Sequence, residues 1–174
     1  ENSFEKCESL TEISIPSSIT EIGKVAFSNC NNLKYVSIQS SLISINDYVF
    51  SYCSSLQEIN IPSSVTYIGK YAFCGCSSLK KIDLPDLVVY IGPHAFHNCS
   101  SLCWISIPHS LSKIEQDVFN GCLSLRNITI PSTVTRIEEG AFENCSPNMI
   151  VHLARITCKS DLAFPDGTQF HFDS

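Results

Sequence analysis

Residues 53–73 run Cys-Ser-Ser-Leu-Gln-Glu-Ile-Asn-Ile-Pro-Ser-Ser-Val-Thr-Tyr-Ile-Gly-Lys-Tyr-Ala-Phe. Leu56, Ile59 and Ile61 alternate with polar residues over the last three positions, the period of a short strand with one buried face. Pro62 ends that strand, because it has no N–H to donate to a ladder. Ser54-Ser55 and Ser63-Ser64 have turn composition. Ala72-Phe73, followed by Cys76, puts three small or apolar side chains on one side of a single helical turn.

The same stretch recurs along the whole chain. Phe-x-x-Cys appears at Phe4/Cys7, Phe27/Cys30, Phe50/Cys53, Phe73/Cys76, Phe96/Cys99, Phe119/Cys122 and Phe142/Cys145, always 23 residues apart. A leucine follows three residues after each Cys from Leu10 to Leu125, with Asn148 in the seventh copy. A copy has too few apolar positions to fold alone, so the copies must stack into continuous internal ladders. Adjacent strands then lie about 4.8 Å apart in a parallel sheet. The rest of each coil supplies the crossover that parallel pairing needs. Strands are expected around Ile13, Val36, Ile59, Ile82, Ile105 and Ile128, with the phenylalanines stacked inside.

Composition sets the outer limits. The chain has 174 residues, 44% hydrophobic and 16% charged, which suits a folded core and not a disordered segment. A net charge of −6, with scattered Lys and Arg, opposes binding to nucleic-acid phosphates. No apolar run is long enough to span a bilayer.

Leu-x-x-Ile-x-Ile resembles the Leu-x-x-Leu-x-Leu core of leucine-rich repeats, and residues 53–73 are similar to the BspA-like subclass almost letter for letter. The resemblance implies a right-handed repeat solenoid with one parallel β-sheet face, short helical turns opposite and a C-terminal cap. We place the array at residues 1–147, with a truncated first unit, and a degenerate last repeat plus cap at 148–174. Because Glu1–Cys7 already lies inside a repeat, the chain is expected to be cut from something longer, with Ser174 near a natural end. Other leucine-rich repeats carry an Asn ladder where this chain has Ser18, Ser41, Ser64, Leu87, Ser110 and Thr133. An altered turn is expected at Leu87, which lacks a hydroxyl.

The chemistry-bearing residues have a packing explanation. Seven of the ten cysteines occupy the repeated inward position, where a free thiol behaves as a small buried hydrophobe. Parallel stacked neighbours suit disulfide torsion poorly, so free thiols are expected, with Cys74, Cys103 and Cys158 outside the ladder and open to oxidation. His94, His97 and Cys99 invite a metal reading, together with Cys74 one coil earlier. Cys99 is a core position, however, and no second cluster has zinc-ligand spacing. No phosphate loop, nucleophile elbow or zinc-protease motif is present. Neither a metal, a cofactor nor an active site is expected. Sequons at Asn98, Asn127 and Asn144 permit a secretory location without requiring one.

Function is expected on the outward strand positions. Glu12, Tyr35, Glu58, Lys81, Trp104, Asn127 and Ile150 form one column, and Ser14, Ser37, Asn60, Asp83, Ser106, Thr129 and His152 the next. The binding residues chosen from this face are Tyr35, Glu58, Lys81, Asp83, Trp104, Arg126 and Asn127. The edge bearing Tyr67 and Tyr90 is the competing surface. The resemblance implies a protein-binding or adhesion module of a cell-surface or secreted protein, whose partner is a protein or another macromolecule, host extracellular material included. An intracellular interaction scaffold using the same face is the alternative, and no enzyme is expected.

Overall fold

The structure is a computed structural model that describes residues 2–153, 158–159 and 163–172. Numbered along the chain, the expected ladder consists of β1 (Glu12–Ile15), β2 (Tyr35–Ile38), β4 (Glu58–Ile59), β6 (Lys81–Ile82), β8 (Trp104–Ile105), β10 (Asn127–Ile130), β12 (Ile150–Leu153) and β14 (Gln169–Phe172). Among the described residues the strand pairings are parallel, and Glu12, Tyr35 and Glu58 stand in register, as do Lys81 with Trp104 and Asn127 with Ile150. The chain is therefore a parallel β-solenoid of about seven turns. At its end β14 pairs with β12 after a shorter loop, Ile150 opposite Gln169.

A second ladder runs along the return segment. It comprises β3 (Ser44–Ile45), β5 (Tyr67–Ile68), β7 (Tyr90–Ile91), β9 (Lys113–Ile114), β11 (Arg136–Ile137) and β13 (Cys158–Lys159). These strands are also parallel, Tyr67 opposite Tyr90 and Lys113 opposite Arg136. Their isoleucines point inward and are buried at Ile45, Ile68, Ile91, Ile114 and Ile137. From β2 to β12 each coil thus has two strand faces rather than one, while the first coil has β1 alone.

The Ala-Phe segments correct the expectation of short helical turns. Among the described residues no helix forms. In each coil the residue two before the Phe and the residue two after it adopt positive φ, as at Val25 (63°) and Asn29 (60°), or His94 (57°) and Asn98 (57°). A left-handed residue on either side of Phe stops helix propagation. The freed N–H groups reach the next coil instead: Val25 N donates to Asp47 O at 3.2 Å, Phe27 N to Val49 O at 2.9 Å and Asn29 N to Ser51 O at 2.8 Å. Glycine takes this position at Gly75 (φ 73°), where an added Cβ would also meet the Tyr52 ring at 2.6 Å.

The core is one stack. Phe4, Phe27, Phe50, Phe73, Phe96, Phe119, Phe142 and Phe164 lie ring on ring, with centroid spacings from 4.8 to 5.7 Å. Phe50 through Phe142 are fully buried, as are Leu33, Leu56, Leu79, Leu102 and Leu125. Beside them each ladder thiol donates to the carbonyl of the Phe in the preceding coil, from Cys30 Sγ to Phe4 O (3.0 Å) through Cys145 Sγ to Phe119 O (3.3 Å). Cysteine at this position fills a small apolar space and also supplies a weak donor to a buried carbonyl.

The Leu87 turn is not altered. Val88 N donates to Pro85 O at 3.0 Å, as Val65 N does to Pro62 O at 3.0 Å. The turn is closed by the main chain, so replacing serine costs only an added bond of the kind Ser64 Oγ makes to Leu42 O. Leu87 instead exposes 57% of its surface.

Candidate functional site

On the first ladder the inward isoleucines force the intervening residues outward, and all seven chosen residues are exposed. The structure divides them into two groups. Tyr35 and Glu58 are direct neighbours across β2 and β4, and the Tyr35 hydroxyl donates to Gln57 Oε1 at 3.3 Å. Lys81 and Trp104 are direct neighbours across β6 and β8. Asp83, one exposed position further along the chain from Lys81, accepts from Ser106 Oγ at 2.9 Å. Asn127 begins β10, with Arg126 just before it. Tyr35 and Trp104 are three coils apart, about 14 Å at strand spacing, so they do not form one contact point.

The face is polar, with one large apolar anchor. Trp104 is 49% exposed, and among the described residues no ring stacks on it and no ion pair ties up Glu58 or Lys81. The seven chosen residues leave out the side chains that shape the face. Asn60 Oδ1 accepts from Ile38 N at 2.8 Å while its Nδ2 donates to Ile38 O at 2.9 Å, capping the end of β2. Ser106 Oγ takes the Leu84 N–H at 2.9 Å in the same way. Shallow grooves follow, one lined by Glu12, Tyr35, Glu58 and Asn60, the other by Trp104, Ser106, His109 and Asn127. Asn60 and Ser106 were visible as a polar column; their bonds to the backbone of a neighbouring coil were not.

The competing flank is built differently. Tyr67 and Tyr90 stack at 5.0 Å, and nearby Tyr48, Tyr71 and His94 stack at 4.9 and 4.5 Å. Burial, and then the Asp47 carboxylate, raise the Tyr67 phenol above its ordinary value. Its charges are paired: Lys24 with Asp47 at 2.9 Å, and Lys113 with both Glu115 and Glu138 at 2.8 Å. Ile43 and Val89 add exposed apolar surface.

The thiols and histidines form no reaction centre in the geometry described. The nine cysteines whose side chains are described are free. Burial pushes the Cys53 and Cys145 thiols up to about 12, the reverse of what a nucleophile needs. Cys74 corrects the sequence reading: it is 1% exposed, and burial raises it as well. Cys103 is exposed as expected, while the Cys158 side chain lies outside what the structure describes. His97 Nδ1 is buried without a partner, and burial, then neighbouring His94, lower its proton affinity. Among the described residues no three His, Cys, Asp or Glu side chains converge on a metal position, and no helix is long and apolar enough to cross a membrane.

Residues 1–102 and 66–165 match the model of the BspA type leucine rich repeat region, in six copies. A leucine-rich repeat protein of Bacteroides ovatus ATCC 8483 is 34% identical, with a TM-score of 0.79 over 87% of this chain and 41% of that one. The T. pallidum leucine rich repeat protein is also 34% identical, with a TM-score of 0.69 over 72% of this chain and 58% of that one. A leucine-rich repeat protein of Eubacterium ventriosum ATCC 27560 is 28% identical, with a TM-score of 0.50 over 79% of this chain and 31% of that one. The chain therefore spans 41% and 58% of the length of the first two. No curated protein matches it.

Proposed function

The chain belongs to the BspA type leucine-rich repeat family, and from that premise we propose that it is a protein-binding and adhesion module of a cell-surface or secreted protein, its partner docking on the first strand face. Repeat solenoids present extended surfaces of this kind, and family membership supports a binding scaffold rather than a catalyst. The observation that carries the choice of face is Trp104, a half-exposed indole beside Lys81 and Asn127, on which no ring stacks among the described residues. Trp is enriched among residues that dominate interface energies, because it buries a large area at low conformational cost.

The test is interferometry on immobilised extracellular-matrix proteins, comparing the wild-type chain with Trp104→Ala and with the double variant Tyr67→Ala/Tyr90→Ala. Trp104→Ala is expected to weaken binding by about 2 kcal/mol, roughly thirtyfold in Kd. Loss of binding in the tyrosine variant alone would move the site to the flank. Failure of the wild-type chain to bind any matrix protein would remove the adhesion reading. The unpaired thiols favour a second reading, an intracellular scaffold in a reducing compartment. Protease treatment of intact cells making the full-length protein separates the two: a surface protein is cleaved and an internal one is not.

A further inference from the structure

We propose that His152 and His171 form a two-imidazole site for a divalent transition-metal ion, Cu²⁺, Ni²⁺ or Zn²⁺, that clips β14 onto β12. The two histidines are direct partners in the parallel register of these strands. Val151 and Leu153 are buried on either side of His152, so the imidazole is directed out of the sheet. The ring centroids are 5.2 Å apart with the planes tilted by 47°. Two imidazoles side by side on adjacent strands need only small side-chain rotations to direct one nitrogen each at a shared ion about 2.0–2.1 Å away. The backbone register has already brought them together, so chelation carries no loop-closing cost.

Imidazole nitrogen suits Cu²⁺, Ni²⁺ and Zn²⁺, with affinity expected to be highest for Cu²⁺. Thr129 is the register neighbour of His152 on the far side of β12, so no lysine or arginine is paired there to repel a cation. Among the described residues no third acidic, Cys or His ligand converges on such a position, which leaves the remaining coordination to water. The site is consequently exchangeable rather than a permanent structural centre. The other histidine pair lacks this geometry: His94 and His97 meet edge to face at 80°, and His94 is already stacked on Tyr71.

The site would act on the end of the array. β14 is largely exposed, with only Phe170 among its residues packed against the core. An ion bound by β12 and β14 together favours the docked strand over the detached one by mass action.

Calorimetric titration of untagged protein with NiCl₂ tests the proposal. One Ni²⁺ per chain is expected, in the micromolar range. His152→Gln and His171→Gln should each weaken binding at least tenfold, because removing one arm of a chelate removes most of its affinity. His97→Gln should leave it unchanged. Hydrogen exchange adds a readout specific to the clip: Ni²⁺ should slow the amides of Phe170–Phe172 in the wild type and not in the His171 variant. A weakening of less than tenfold in either variant means independent single-imidazole contacts and overturns the proposal. So does loss of binding in His97→Gln, or exchange at β14 that Ni²⁺ does not slow.

Discussion

Replacing Phe96 with alanine tests whether the array is held by its ring stack. Phe96 is fully buried and lies 5.3 Å from Phe73 and 5.7 Å from Phe119, nearly parallel to both. Truncating a buried Phe to Ala costs about 3–5 kcal/mol in transfer and cavity terms. Each aromatic pair adds about 0.5–1.5 kcal/mol beyond area burial. Part of that pair energy is already counted in mutational averages, so about 4–6 kcal/mol is expected. Phe4→Ala supplies the internal comparison. Phe4 is 42% exposed and stacks on one ring only, 5.2 Å away, so about 1–2 kcal/mol follows from the same reasoning.

In a solenoid each coil touches only its neighbours, so stability is nearly a sum of coil and interface terms. A gap at Phe96 weakens two central interfaces and divides the array, whereas a change at Phe4 weakens one end. Urea unfolding should be followed both by far-UV circular dichroism and by fluorescence of Trp104, the chain's single tryptophan, one coil segment away. The wild type should give coincident curves. Phe96→Ala should shift the midpoint strongly and separate the two signals as the halves lose cooperativity. Equal losses in Phe96→Ala and Phe4→Ala would refute the stack as the main source of stability.

Three further outcomes follow from the same geometry. In the native protein a thiol reagent should modify Cys103 first and the partly exposed Cys7 more slowly, with Cys74 protected, and all ten cysteines should react in denaturant; protection that survives denaturant would mean disulfides. Burial raises the folded thiols Cys53 and Cys145 from an ordinary value of 9.0 to about 12, so above pH 9 the unfolded chain releases protons that the folded chain keeps. Their stabilisation is complete below that pH and is lost as pH rises towards about 12, so the melting temperature should fall across this window, and Cys53→Ala should flatten the fall. Val25→Gly should raise stability by roughly 0.5–1 kcal/mol in thermal melts, because a β-branched residue at φ 63° carries strain that glycine does not; a lower melting temperature would refute the left-handed turn.

The internal ladders were legible because stacking turns a 23-residue period directly into columns: Phe27, Cys30, Leu33 and Val36 are all buried. Elsewhere local spacing was ambiguous. Ala26, Phe27 and Cys30 have the same separations in one helical turn and in two linked turns, and nothing about Val25 marks it for positive φ. Its hints lie in the same columns in other coils, where Gly75, Gly121 and Gly140 stand beside Asn29, Asn98, Asn144 and Asp117, residue types that tolerate the left-handed region. The second ladder escaped because its strands are two residues long, and Val65 and Ile68 lie three apart, without alternation. Cys74 stands outside the Phe-x-x-Cys ladder, which is why the sequence marks it as open to oxidation; its column also holds Ser28, Ser51 and Asn120. All three are buried, since the turn beside the Phe stack folds that column beneath the next coil.

Both outward surfaces bear aromatic residues at fixed columns, so sequence alone does not rank them; ring geometry is what supports the choice proposed above. Tyr67 and Tyr90 lie face to face, and Tyr71 is sandwiched between Tyr48 and His94, so these rings already use faces that a partner would need. Their neighbouring charges are likewise committed, Lys113 bridging Glu115 and Glu138. A partner docking there would have to compete with existing contacts, and the flank's order is internal to the fold. Trp104 has no such commitment among the described residues, and Lys81 beside it carries an unpaired charge. On the proposed reading, binding at that position would form new contacts without breaking old ones, and the same aromatic area would yield more net affinity on the first face than on the second. That difference is why Trp104→Ala, and not the tyrosine pair, is the variant on which the assignment of the binding face depends.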